Sequence, residues 1–307
     1  MTGSNATPII DSLIQDNPAL KVADKSMVEA KLTSMTQGGH DKLQLIVDFD
    51  NTLTRHHKNG QLTDCSWAVM ENSPLLPKAY NDKTNALRAK YLPIETSADL
   101  TVEEKIPYMV EWYTQANQLL TQIDLEKNMF GKFVKTSNVE FRDHTKKMLD
   151  NLHNVNVPVL VLSAGLGDIL VEVMEAFEVY HRSNTKVVSN FLSYDNNGKV
   201  IGMEGDMIHV YNKKESSVKG SEYDKLLKGR NNVMLLGDSI GDLQMADGVE
   251  NPEAVLKIGF LNCLNNPDAA EKRLPSFLEG YDIVLLDDQT MNVPITILEK
   301  VNGITMV

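Results

Sequence analysis

The fold is read from Ile46-Val47-Asp48-Phe49-Asp50-Asn51-Thr52-Leu53. An apolar run (Leu43, Leu45, Ile46, Val47) predicts a buried strand, and it ends on two aspartates. Residues two apart on an extended chain point the same way, so Asp48 and Asp50 share a side. Two carboxylates on one side repel, and each needs a cation to stay ionised. A core strand has no structural reason to end so. The chemical reason is a nucleophile (Asp48), a general acid and base (Asp50), and Mg²⁺ between them. The plain alternative is a turn after a strand, since Asp and Asn favour turns.

Outward from this stretch, the chain alternates strands and helices. Asn17-Pro18 predicts the start of a helical stretch that Gly38-Gly39 closes. From about Cys65 to Leu152 the pattern is helical. Ala79 to Leu92 is one helix, a capping box at Thr101-Val102-Glu103-Glu104 starts another, and Asn138 to Leu152 is a third. Val157 to Leu162 is continuously apolar, as in a strand buried on both faces. Gly165 to Val179 reads as a helix. Lys186 to Tyr194 and Lys199 to Met203 flank Asn196-Asn197-Gly198, a tight hairpin signal. Val233 to Leu236 and Ile283 to Leu286 are further buried strands. The expected architecture is α/β: a Rossmann-like parallel sheet core from residues 1–62 and 153–307, with an all-helical cap inserted over 63–152.

Composition narrows the function. The 307 residues carry a net charge of −12, which disfavours a nucleic-acid polymer as partner. An anionic small substrate must then meet a local positive patch or a metal. Two distant cysteines, Cys65 and Cys263, suit a reducing cytoplasm better than a disulfide framework. Residues 1–6 lack a secretory pattern, so the Asn5-Ala6-Thr7 acceptor triplet reads as chance. No run reaches transmembrane length, so no membrane partner is expected.

Three predicted strands end in phosphate-compatible groups, and ligands of open parallel sheets sit at those ends. The first ends in Asp48 and Asp50. The second ends in Ser163-Ala164-Gly165, whose hydroxyl and following amides at a helix start can hold phosphate oxygens. The third ends in Gly237-Asp238-Ser239-Ile240-Gly241-Asp242. Four converging carboxylates imply a divalent ion, and oxygen ligands suit Mg²⁺. Lys213 lies between the second and third strand ends and can neutralise a phosphoryl group. Each piece has an ordinary reading: Ser163-Ala164-Gly165 as a commonplace turn, Lys213 as a solvated lysine beside Lys214. Their order together argues against those readings.

Asp-x-Asp-x-Thr, a strand-ending serine, a lysine, then Gly-Asp-x-x-x-Asp resembles the haloacid dehalogenase superfamily of phosphotransferases. The segments at residues 101–114, 163–168, 208–213, 235–248 and 281–285 resemble the cytosolic pyrimidine 5′-nucleotidase family, cytosolic 5′-nucleotidase III. The resemblance implies that Asp48 becomes an aspartyl-phosphate and that Asp50 is the proton donor and then the base. It implies Mg²⁺ held by the Asp48 and Asp238 carboxylates and the Asp50 carbonyl, with Asp242 supporting. Ser163, Ala164 and Lys213 would bind phosphate, and Glu95 the nucleobase. Ala116 replaces a serine that contacts nucleotide in some members; members accepting 7-methylguanosine monophosphate commonly have alanine there. The expected substrate is a small-molecule nucleoside monophosphate, CMP or UMP, used by a monomer. Rival readings are a 7-methylguanosine monophosphate-preferring enzyme, a nucleoside phosphotransferase using the same residues, and a catalytically silent nucleotide-binding module.

Overall fold

A computed structural model of the chain describes residues 8–301 except 98 and 265, together with residue 304. Residues 1–6 and the Asn5-Ala6-Thr7 triplet lie outside the described residues. In chain order the elements are α1 (Ile9–Asp16), β1 (Leu20–Val22), α2 (Lys25–Gly38), β2 (Leu43–Val47), β3 (His57–Lys58), β4 (Gln61–Leu62), α3 (Ser66–Glu71), α4 (Lys78–Glu95), α5 (Val102–Leu120), α6 (Phe130–Thr136) and α7 (Thr145–Asn154). Then come β5 (Val159–Leu166), α8 (Gly167–Ala176), β6 (Thr185–Asn190), β7 (Leu192–Tyr194), β8 (Val200–Met203), α9 (Asp224–Leu227), β9 (Asn232–Gly237), β10 (Ala254–Leu261), α10 (Pro267–Gly280), β11 (Ile283–Leu286) and α11 (Asn292–Leu298).

The main sheet has seven strands in the order β1-β11-β10-β9-β2-β5-β6. All pairings are parallel except the β1 edge, which runs antiparallel to β11. Alternate residues of the central strands enter two apolar clusters. Leu45, Val47, Val161, Met234 and Leu236 enter one; Ile46, Leu160, Leu162, Val233 and Leu235 enter the other. Burial on both faces is why these strands read as unbroken apolar runs. From β2 the chain builds outward through β5 and β6, then returns to the other side with β9, β10 and β11. The direction reverses between β2 and β9, and the carboxyl ends there form a crevice.

Several boundaries differ from the sequence expectation. Asn17-Pro18 opens no helix: the Asn17 side chain accepts the Ala19 amide, and β1 follows. The helix begins after Asp24, whose carboxylate caps the Ser26 and Met27 amides. β10 carries no unbroken apolar signature in the sequence, because Lys257 and Gly259 interrupt its run. The expected strand from Lys186 to Tyr194 breaks at Phe191 into β6, in the main sheet, and β7, paired with β8. The Asn138-to-Leu152 helix starts only at Thr145; before it, Phe141 bridges Thr54 and Arg142 donates to the Leu53 carbonyl at 2.9 Å.

The capping box at Thr101 is formed in full, with reciprocal bonds of 2.8 and 3.3 Å to Glu104. α4 and α5 pack on one another, while α3 and α6 pack on α8. Met148, Leu149 and Leu152 of α7 lie in the cluster shared with the sheet.

Candidate active site

The carboxyl ends of β2, β5 and β9 bring the charged residues together. The Asp48 amide extends the ladder to the Leu236 carbonyl at 3.0 Å, which fixes Asp48 at the rim of the sheet. Beyond Asp50, Asn51 takes a left-handed conformation (φ 59°) and turns the chain away. Arg142 secures this turn from below: its buried guanidinium donates to the carbonyls of Thr52, at 2.7 Å, and of Asn51 and Asp288. It also lies 4.1 Å from the centre of the Phe260 ring. Burial lowers Arg142 to about 9, against the opposing pull of Asp238 and Asp288.

Lys213 is buried between two carboxylates. Its Nζ lies 2.7 Å from Asp48 Oδ1 and 2.5 Å from Asp242 Oδ1. Burial works against its charge, but Asp242 and Asp48 outweigh burial and hold the ammonium above the ordinary lysine range. Asp242 Oδ2 accepts the amides of Asp238 and Ser239 and the Ser239 hydroxyl, at 2.9–3.0 Å. Asp242 Oδ2 is thereby saturated by donors, while Oδ1 pairs with the Lys213 ammonium. The Asp238 carboxylate accepts no hydrogen bond from a described residue.

Oxygens of Asp48, Asp238 and Asp242 lie within 4.8 Å of one another. Three carboxylates face one ammonium, so the cluster carries an uncompensated charge of about −2 when ionised. Burial pushes Asp48 up to about 7, with Lys213 opposing and Asp242 adding to the rise. Burial, then the charges of Asp48 and Asp242, pushes Asp238 up well beyond the carboxylate range. An all-oxygen set with a charge deficit fits a hard divalent cation, with Asp48 and Asp238 holding the freer oxygens.

Asp50 is held apart from this cluster by Ser66 at the start of α3. The Ser66 amide donates to Oδ1 at 2.7 Å and its hydroxyl to Oδ2 at 2.5 Å. Burial raises Asp50, and the two Ser66 bonds pull it back. Ser163 is buried, and its hydroxyl accepts the Gly165 amide at 2.9 Å. The expected helix start at Gly165 is corrected: β5 continues to Leu166, with a register irregularity after Leu162. Gly165 is required here by close approach. A Cβ on it would stand 2.1 Å from Ser66 Oγ and 2.9 Å from Asp50 Oδ2.

Glu95 ends α4, half-buried, and burial pushes it up to about 7 against Lys213 and Lys105. Its carboxylate accepts no hydrogen bond from a described residue, while its carbonyl accepts the Tyr211 hydroxyl at 3.3 Å. Ala116 is buried on α5 with Met109 and Leu120, one turn beyond Trp112, outside the carboxylate cluster. An aromatic row joins the helical hairpin to the sheet. Tyr91 stacks on Trp112 (5.7 Å), Trp112 meets Tyr113 edge-on, and Tyr113 meets Trp67 at 6.3 Å. The Trp67 indole donates to the Ala164 carbonyl at 3.3 Å. Ser66 and Arg142 were not singled out from sequence, and Gly165 only as a member of the serine motif. Only Gly165, inside the serine motif, carried a local signal.

Similarity to known proteins agrees with this geometry. The sequence profile of the family described as pyrimidine 5′-nucleotidase (UMPH-1) matches residues 51–302. The chain is 40% identical over 274 residues to the human 7-methylguanosine phosphate-specific 5′-nucleotidase, covering 89% of each chain. The crystal structure of cytosolic 5′-nucleotidase IIIB bound to cytidine superposes with a TM-score of 0.81 at 34% identity, covering 94% of this chain and 96% of that one. At the level of fold alone, a haloacid dehalogenase family hydrolase from Salmonella enterica serovar Typhi matches with a TM-score of 0.53 at 12% identity, covering 86% and 73%. With its carboxylates and lysine gathered at the strand ends that this fold uses, the chain belongs to the pyrimidine 5′-nucleotidase (UMPH-1) family and is a 5′-nucleotidase.

Proposed function

We propose that the enzyme hydrolyses 7-methylguanosine monophosphate and CMP, with UMP, through an Asp48 aspartyl-phosphate and with Mg²⁺. The observation that carries the reading is Lys213 bridging Asp48 and Asp242, with Asp238 beside them at the switch between β2 and β9. Asp48, Asp238 and the Asp50 carbonyl would hold Mg²⁺, with Asp242 supporting, and the ion would offset charge on the phosphoryl oxygens.

Asp48 attacks phosphorus in line as the bond to O5′ breaks, and Asp50 gives its proton to O5′. Asp50 then takes a proton from water, whose oxygen attacks the same phosphorus and frees Asp48 and inorganic phosphate. Lys213 and the Ser163–Ala164 segment meet the phosphate oxygens. The α4–α5 hairpin, within the expected cap of residues 63–152, acts as the cap and supplies base recognition through Glu95 and the Trp112–Tyr113 row near Ala116, while α7 packs on the core. A 7-methylguanine ring is cationic, which favours a carboxylate and electron-rich rings over a neutral pocket. The relatives named for 7-methylguanosine phosphate support this half of the reading, and the cytidine complex supports the other. Two free cysteines suit a cytoplasmic setting, and no helix among the described residues is long and apolar enough to cross a membrane.

The test is phosphate release from a panel of CMP, UMP, 7-methylguanosine monophosphate and AMP, with Mg²⁺, after chelation, and with Ca²⁺. Release from the first three, lost on chelation and poorly restored by the larger Ca²⁺, is expected. Full activity after exhaustive chelation refutes the metal role. AMP hydrolysed as well as the rest refutes base recognition.

A further inference from the structure

Six residues past Asp50, the chain places two adjacent imidazoles against the end of β11. We propose that His56, His57 and Asp287 form a second metal site, for a transition-metal dication such as Zn²⁺. One ligand atom from each lies within 4.8 Å of the others, and none belongs to the Asp48–Asp238–Asp242 cluster.

The cluster is built rather than incidental. His57 Nε2 stands 2.9 Å from Asp287 Oδ1, and both side chains are largely covered, at 14% and 23% exposure. The same Asp287 oxygen accepts the amides of Cys263 and Leu264 at 3.1 and 3.2 Å, which fixes the carboxylate in place. Asp287 adopts a left-handed backbone conformation (φ 51°), unusual for a residue with a side chain, and this turns its carboxylate toward β3. Gln289 Oε1 accepts the amides of both His56 and His57, at 3.0 and 3.4 Å, and so anchors the dipeptide. The two rings meet at 89° with centres 5.7 Å apart.

The independent sign of a ligand is His56 Nδ1. It is a buried imidazole nitrogen with no hydrogen-bond partner. Buried nitrogens are seldom left unpaired, because the lost hydrogen bond costs free energy. A metal ion supplies the missing partner. Ligand atoms on one Zn²⁺ stand about 3–4 Å apart, given bonds of about 2.0–2.2 Å, and the three groups here already lie within 4.8 Å of one another. The chemistry separates the two sites. Two imidazoles and one carboxylate suit Zn²⁺, Ni²⁺ or Cu²⁺, whereas the all-oxygen cluster suits Mg²⁺. Millimolar Mg²⁺ should therefore fill one without competing for the other.

The experiment is equilibrium dialysis of chelator-stripped protein against Zn²⁺ in millimolar Mg²⁺. Wild-type protein is expected to hold one equivalent. His56→Gln and His57→Gln, shown folded by circular dichroism, are each expected to weaken binding at least tenfold. Asp238→Asn is expected to leave it unchanged. Loss of Zn²⁺ in Asp238→Asn with retention in both histidine variants overturns the proposal, as does wild-type protein that binds none. A measurement free of substitutions is titration of wild-type protein with Co²⁺. Visible absorption of a low-coordinate nitrogen–oxygen site is expected, and a purely octahedral spectrum overturns the assignment.

Discussion

Replacing Ser66 by alanine isolates the proton that Asp50 carries. The Ser66 hydroxyl donates to Asp50 Oδ2 at 2.5 Å in a buried setting, and the Ser66 amide keeps its own bond to Oδ1 in the variant. A hydrogen bond to a charged group is worth about 1.5–3 kcal/mol. At 1.36 kcal/mol per pKa unit, losing it raises Asp50 by about 1–2 units. The sign follows from the donor: the hydroxyl stabilises the ionised carboxylate, so without it Asp50 keeps its proton to higher pH. In the proposed mechanism Asp50 must be protonated when O5′ leaves. The alkaline limb of kcat/KM for CMP should therefore move up by about 1–2 units. An aryl phosphate, whose leaving group needs less protonation, should show a smaller change. Leu166 loses its 3.3 Å bond to the same hydroxyl, so with the lost Asp50 bond unfolding free energy should fall by about 2–4 kcal/mol, read by urea titration above the Asp50 pKa. A lower rate with the alkaline limb unmoved would refute Asp50 as the proton carrier.

Asp48→Asn is expected to lower kcat by at least about 10³-fold while the fold persists, since an amide cannot form the acyl-phosphate; steady-state turnover within tenfold of the parent refutes the nucleophile assignment. Gly165→Ala forces a Cβ into Ser66 Oγ and Asp50 Oδ2, and a displacement of about 1 Å there should cost about 10²-fold in kcat; unchanged kinetics would mean the loop yields freely. Arg142→Met takes the guanidinium donor from the Thr52 and Asp288 carbonyls, while Asn262 still donates to the Asn51 carbonyl, and should lower unfolding free energy by about 2–4 kcal/mol in urea. Glu95→Ala should lower kcat/KM for CMP by about 10–100-fold and barely touch an aryl phosphate, because the wrong partner costs about 1–3 kcal/mol at a base-reading carboxylate; equal losses on both substrates would assign Glu95 to the cap instead.

The central strands were legible because both faces of the sheet are buried, so β2, β5 and β9 are written as apolar runs that stop at their polar ends. β1 and β10 were not. β1 has three residues and owes its form to pairing with β11, while β10 carries Lys257, whose ammonium is supported by the charge of the Asp282 carboxylate. A charged residue tolerated by one tertiary contact defeats any reading by hydropathy alone. The same holds at the site. Asp48, Asp50, Asp238 and Asp242 announce themselves by density of charge. Ser66 and Arg142 act through bonds spanning 16 and about 90 residues of sequence, and nothing local distinguishes a serine that holds a carboxylate from one that caps a helix.

Electrostatics link the cluster's architecture to its chemistry. Burial pushes Asp48 up toward its protonated form, and a protonated carboxyl is a poor nucleophile. Lys213 alone does not correct this, because its ammonium is shared with Asp242. A second positive charge is needed, and Asp238 is the carboxylate left free to hold it. Asp242 contributes differently: saturated by Lys213, Ser239 and the Asp238 amide, it fixes the positions of the groups around it. The pocket is thus assembled with its anionic scaffold about two charges short of neutral. Mg²⁺ would supply those charges, hold Asp48 in its ionised form, and leave the Lys213 ammonium to meet the substrate's phosphate.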